Sequence, residues 1–291
     1  MAVYTLPTEP EPFVLLTGDE DFVVEFAALL ETKGVDFAIV PPFDDTDLDD
    51  LAFYDDDAEM MAEVVASTTT FAPAFSHRIT SDPRQFASRT THVVELGVSD
   101  IRVRSFMMSI LSSAAPKAAF IVSTLTNTAT ELASSPDVSD RVVGVSLLPS
   151  MMSTTPVIDM AAGLNTRPEF ITLGRQLLER LGYAIEIVED RVGLVQARVL
   201  MTLINEAAFA VLEGVASPAD IDNAMKLGVN YPKGLLQWAD EIGIGVVTLC
   251  LDALYREYQQ ERYRPCVLLK QYMRAGWTGV ASGRGFYHYQ S

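Results

Sequence analysis

The chain has 291 residues, 49% hydrophobic and 21% charged, a composition that can build two sizeable cores and is not that of a disordered protein. Its 39 acidic against 21 basic residues give a formal charge of −18, which argues against the basic face that nucleic acid or an anionic membrane surface needs. In chain order, Phe13-Val14-Leu15-Leu16 predicts a buried strand, and Phe22 to Thr32 a helix with Phe22, Phe26 and Leu29–Leu30 on one face. Gly34 ends that helix, and Phe37-Ala38-Ile39-Val40 predicts a second strand. Residues 44–63 hold ten acids, which read as a solvated loop and helix start. Further strands are expected at 91–96, 119–122, 142–147 and 184–188, with helices at 101–115, 127–134 and 167–181. This alternation predicts βαβ units and a Rossmann-like, doubly wound parallel α/β sheet.

From Val192 onward the periods are helical, at 195–212, 218–226, 235–258 and 266–275. The expected boundary is Glu189-Asp190, dividing a Rossmann-like domain (1–189) from an all-α domain (190–291). Cys250 and Cys266 make neither a disulfide framework nor a zinc site, so a reducing, cytoplasmic compartment is expected. Residues 1–12 carry prolines and acids where a secretory leader would have a basic and then an apolar region. The apolar run Ile242 to Leu251 is too short to span a bilayer.

The helical third carries a series of short words in order: Asn205-Glu206-Ala207, Glu213-Gly214-Val215-Ala216-Ser217, Ala219-Asp220-Ile221-Asp222, Lys226-Leu227-Gly228, Pro232-Lys233-Gly234, Asp240-Glu241-Ile242-Gly243 and the tail Gly283-Arg284-Gly285-Phe286-Tyr287-His288-Tyr289. In these the chain resembles the 3-hydroxyacyl-CoA dehydrogenases. The resemblance implies an N-terminal Rossmann domain binding NAD, a helical domain that dimerises, and oxidation of an acyl-CoA 3-hydroxyl. It also implies a His base oriented by a Glu, with a Ser and an Asn positioning substrate. A secondary alcohol gives up hydride only if its proton leaves too, so a base poised near neutrality is required.

The residues at those positions are different. The glycine turn reads Gly18-Asp19-Glu20-Asp21-Phe22-Val23, so Glu20 and Val23 stand where the second and third glycines belong. A like charge about 4 Å from a bound anion costs about 1–4 kcal/mol. Pro41 or Pro42 replaces the ribose-binding acid, and Arg104 falls on a family lysine, either as a ligand contact or as a helix-surface cation. Without gaps, Leu125 takes the substrate-Ser position; a four-residue gap would give Asn127-Thr128-Ala129-Thr130 instead. Ser146 takes the His position in Gly144-Val145-Ser146, Asp159 (or Ile158, without one inserted residue) the orienting-Glu position, and Ala197 the substrate-Asn position. A serine hydroxyl accepts no proton near neutral pH without its own base. None of His77, His92 and His288 falls on the matched position.

The expectation is therefore a dimeric, non-catalytic or regulatory homologue, with no cofactor, and with an acyl-CoA or a protein as its partner. The alternative is an active NAD-dependent dehydrogenase with atypical cofactor contacts.

Overall fold

The computed structural model describes residues 11–42 and 71–289; the acidic segment 44–63 lies outside them. Seven strands form one sheet: β1 (Phe13–Gly18), β2 (Asp36–Ile39), β3 (His92–Leu96), β4 (Ala119–Ser123), β5 (Val142–Val145), β6 (Val157–Ala162) and β7 (Ala184–Ile187). Their spatial order is β2-β1-β3-β4-β5-β6-β7. All neighbours are parallel except β5 and β6.

The apolar strand runs follow from burial on both faces. Val14, Leu16, Phe37, Ile39 and Val94 point into one core. Phe13, Leu15, Ala38, Val40 and Val93 point into the other. The first core is covered by α1 (Glu20–Thr32), through Phe22, Phe26 and Leu30, and by α4 (Pro168–Leu181). The second is covered by α2 (Ile101–Ala114) and the short α3 (Ala129–Leu132). Thr128 caps α3 in a reciprocal box with Glu131.

The helical third comprises α5 (Gln196–Leu212), α6 (Pro218–Gly228), α7 (Leu235–Ile242), α8 (Ile244–Tyr258) and α9 (Val267–Arg274). Its core, including Met201, Ile204, Leu236 and Leu251, is continuous with the first face of the sheet.

Two expectations need correction. Val157–Ala162 is a strand beyond those expected from the sequence, and it runs antiparallel to β5. The single helix expected over 235–258 is two, because Gly243 adopts φ 96° and ψ 123° and breaks it. His77 and Arg78 end a 3-10 helix (Pro73–Arg78), and Ile79 bridges to Ile39.

Candidate functional site

Chain connections leave β1 in one direction, toward β2, and β3 in the other, so the crevice for a ligand lies at the carboxyl ends of β1 and β3. Gly18 ends β1 at φ 131°, and a Cβ on it would stand 2.1 Å from the Leu96 carbonyl oxygen. The close approach of β1 to β3 thus requires this glycine, whatever binds there. The next residue crosses the same gap. Asp19 N–H donates to Leu96 O at 3.0 Å, and its carboxylate accepts from Val98 N–H at 2.8 Å. Burial pushes the Asp19 carboxyl above its usual range; the Val98 hydrogen bond opposes this, and the charge of Glu95 adds to it. Glu20 opens α1, and its carboxylate accepts from Ala72 N–H at 2.8 Å. Val23 is fully buried in the core beneath α1, where the third glycine of such a turn would allow close helix–strand packing.

Arg104, offered above as a ligand contact or a surface cation, is neither. It is 2% exposed. Its Nε donates to Glu95 Oε1 at 2.9 Å, and its Nη2 to Glu95 Oε2 at 2.5 Å and Ser123 O at 2.6 Å. The buried carboxylate on β3 explains the cation: each offsets the desolvation of the other.

Ser146 and Asp159, placed by the sequence at the base and orienting positions, do meet. Ser146 Oγ donates to Asp159 Oδ2 at 3.3 Å, and both residues are 4% exposed. The same oxygen accepts from Val195 N–H at 3.1 Å and Gln196 N–H at 2.7 Å, so Asp159 holds the start of α5. Ile158, the other frame, is a core residue. Leu125 and Ala197 are also core residues, so neither presents a side chain to a ligand.

The polar groups facing the crevice between sheet and helices come one step later than the ungapped frame suggests. Thr126 and Asn127, with Ser99, Asp100, Asp252 and Arg256, line a cavity of about 340 Å³. Arg256 reaches from α8 to donate to Thr126 O at 3.1 Å. The signal for Thr126 and Asn127 was present in the sequence: the Thr128-x-x-Glu131 box fixes where α3 starts, and hence which residues end the loop. Nothing in the sequence pointed to Arg256. Of the histidines, His92 is buried between Thr91 Oγ1 at 2.8 Å and Leu173 O at 3.0 Å, whereas His77 and His288 are exposed. Among the described residues no cluster of His, Cys, Asp or Glu could hold a metal ion, and no helix is long and apolar enough to cross a membrane.

The words of the helical third that carry the resemblance serve its own folding. Asp222 accepts from Leu236 N–H and Gln237 N–H, both at 2.9 Å, and from Tyr287 Oη–H at 2.7 Å. Asp240 accepts from the backbone N–H groups of Phe286 and Tyr287 at 2.9 Å and from Tyr289 Oη–H at 3.0 Å, holding the tail. Gly234 and Gly285 are the residues against which these carboxylates pack. Ser217 Oγ caps α6 through Asp220 N–H at 3.3 Å.

A Rossmann-like sheet joined to this helical unit defines a two-part dehydrogenase fold. Residues 193–289 match the family model for the 3-hydroxyacyl-CoA dehydrogenase C-terminal domain. The chain is 34% identical over 234 residues to a Bacillus subtilis protein described as "Probable 3-hydroxybutyryl-CoA dehydrogenase", covering 79% of this chain and 80% of that one. It is 27% identical over 234 residues to the 3-hydroxybutyryl-CoA dehydrogenase of Bradyrhizobium diazoefficiens, covering 80% of each. Its fold matches that of Mycobacterium tuberculosis FadB2 with a TM-score of 0.78 at 22% identity, over 97% of this chain and 100% of that one. For (S)-3-hydroxybutyryl-CoA dehydrogenase of Ralstonia eutropha the TM-score is 0.72 at 25% identity, over 96% and 99%. The chain belongs to the 3-hydroxyacyl-CoA dehydrogenase family, and within it is 3-hydroxybutyryl-CoA dehydrogenase-like.

Proposed function

We propose that this protein keeps the family's fold without its dehydrogenase turnover and acts as a dimeric, non-catalytic homologue. One observation carries this reading: Asp159, which the resemblance aligns with the orienting carboxylate, holds two backbone amides and the hydroxyl of Ser146, which the resemblance aligns with the base. The Ser146 hydroxyl donates to the Asp159 carboxylate, whose Oδ2 already accepts from two amides; a carboxylate so held is too weak a base to make the serine an acceptor for the proton of a secondary alcohol near neutral pH.

The dinucleotide position supports the same reading. A Rossmann fold binds the pyrophosphate dianion at the first turn of α1, where this chain carries Asp19, Glu20 and Asp21. These residues do not fit that group, and we assign no NAD. The division into residues 1–189 and 190–291 and the cytoplasmic location belong to the same proposal. So does dimerisation through the helical part, which exposes Val215 (71%) and Leu227 (87%) around α6. The candidate partner is an acyl-CoA or a protein, and a cavity of about 340 Å³ opens beside Thr126 and Asn127.

The second reading, active NAD-dependent oxidation of a 3-hydroxyacyl-CoA, is favoured by the extent of similarity to the Bacillus subtilis relative. Incubation with (S)-3-hydroxybutyryl-CoA and NAD, followed by NADH absorbance, distinguishes the two. We expect no enzyme-dependent rate, and none that changes in Ser146→Ala. Turnover by the unaltered protein that disappears in Ser146→Ala would establish the second reading.

A further inference from the structure

The first turn of α1 combines two features that usually exclude each other. An Asp at the position before a helix normally turns its carboxylate onto the helix's own first amides. Asp19 does not: it makes no side-chain cap bond to α1 and instead spans the crevice to Val98 N–H, a residue 79 positions away. Glu20 is likewise drawn aside, onto Ala72 N–H. Among the described residues, the backbone N–H groups of Glu20 and Asp21 have no hydrogen-bond acceptor, whereas those of Phe22 and Val23 are taken by Asp19 O. The donors that a phosphate would use are therefore still in place. What has changed is the charge around them.

We infer that anion binding at this crevice is blocked electrostatically, with Asp19 as the principal blocking group and Glu20 as the second, and that neutralising them without changing their shape restores binding of a dinucleotide pyrophosphate. This deepens the reading of lost cofactor binding and rests on it. Geometry favours Asp19 over Glu20. Asp19 lies at the switch point itself, tied by two bonds to the β3 side of the crevice, while Glu20 is exposed and turned toward Ala72.

The test is titration of NADH, by its fluorescence and by calorimetry, into the unaltered full-length protein, Asp19→Asn, Glu20→Gln and the double variant. The Asn and Gln side chains keep an oxygen that accepts from Val98 and Ala72, so the fold is retained, and a melting curve for each variant checks this. Removing each charge is expected to tighten binding at least about tenfold, more for Asp19 than for Glu20, with little binding by the unaltered protein. NADH binding by the unaltered protein as tight as that of the double variant would overturn the inference. So would a folded double variant that binds no better than the unaltered protein. Either result is distinct from failure of the proposed function, which is decided by turnover of hydroxyacyl-CoA.

Discussion

Arg104 on α2 and Glu95 on β3 form a two-pronged ion pair sealed from solvent, with side-chain exposures of 1% and 3%. The guanidinium also engages Ser123 O, Thr126 Oγ1 at 3.3 Å and Asn127 Oδ1 at 3.4 Å, so a single side chain joins the helix, the strand and the loop that lines the cavity. Removing one member of such a pair strands the other charge. Arg104→Met is expected to cost about 3–5 kcal/mol in urea unfolding. Adding Glu95→Leu should recover most of that loss. A double variant as unstable as the sum of the single variants would show that the pair is not what holds these elements together.

Gly18 is required by the sheet. Gly18→Ala places a methyl 2.1 Å from the Leu96 carbonyl at φ 131°, and a loss of at least about 3 kcal/mol, or no soluble protein, is expected. Gly34 also has a positive φ, of 66°, but a Cβ there meets nothing within 4 Å, so Gly34→Ala should cost only about 1–2 kcal/mol. Equal melting temperatures for the two variants would refute the steric argument.

His92 should make stability depend on pH. Burial holds its pKa below the ordinary 6.5, opposed by its contact with Leu173 O. The unfolded chain then binds a proton at a pH where the folded chain does not. Its contribution is full above 6.5 and is lost as the pH falls toward the folded-state value, with a slope of up to about 1.4 kcal/mol per pH unit. The difference in stability between the unaltered protein and His92→Gln, measured from pH 7.5 down to 5, isolates this group from the half-buried Asp19 and the buried Asp240, whose values are raised. That difference should shrink on acidification; a constant difference would exclude the effect.

The tail is held by a carboxylate packed against a glycine. In Gly285→Ala the new methyl would meet Asp240 Oδ1 at 2.0 Å, displacing the acceptor of Phe286 and Tyr287 N–H. Arg284 lies 3.4 Å over the Trp277 ring, so tryptophan fluorescence reports on tail detachment. The variant should shift that emission and lose about 1–3 kcal/mol, whereas Gly276→Ala, with no atoms within 4 Å of the new methyl, should leave the emission unchanged.

The apolar runs at 13–16, 37–40 and 119–122, the helical periods between them and those of the last third were legible in the sequence, because strand alternation and helix periodicity are set by residues within one or two turns of each other. β6 was not, because a strand that carries Asp159 and runs against its neighbour is defined by its partner more than by its own pattern. The sequence put Ser146 and Asp159 (or Ile158) at two family positions, but neither the contact between Ser146 and Asp159 nor Asp159's role in holding the start of α5 was legible there. Arg104 with Glu95, Asp19 with Val98 and Arg256 with Thr126 were decided only when the chain closed on itself. Which buried charge meets which partner depends on residues far apart in sequence, and desolvation makes that choice energetically decisive only inside the folded molecule.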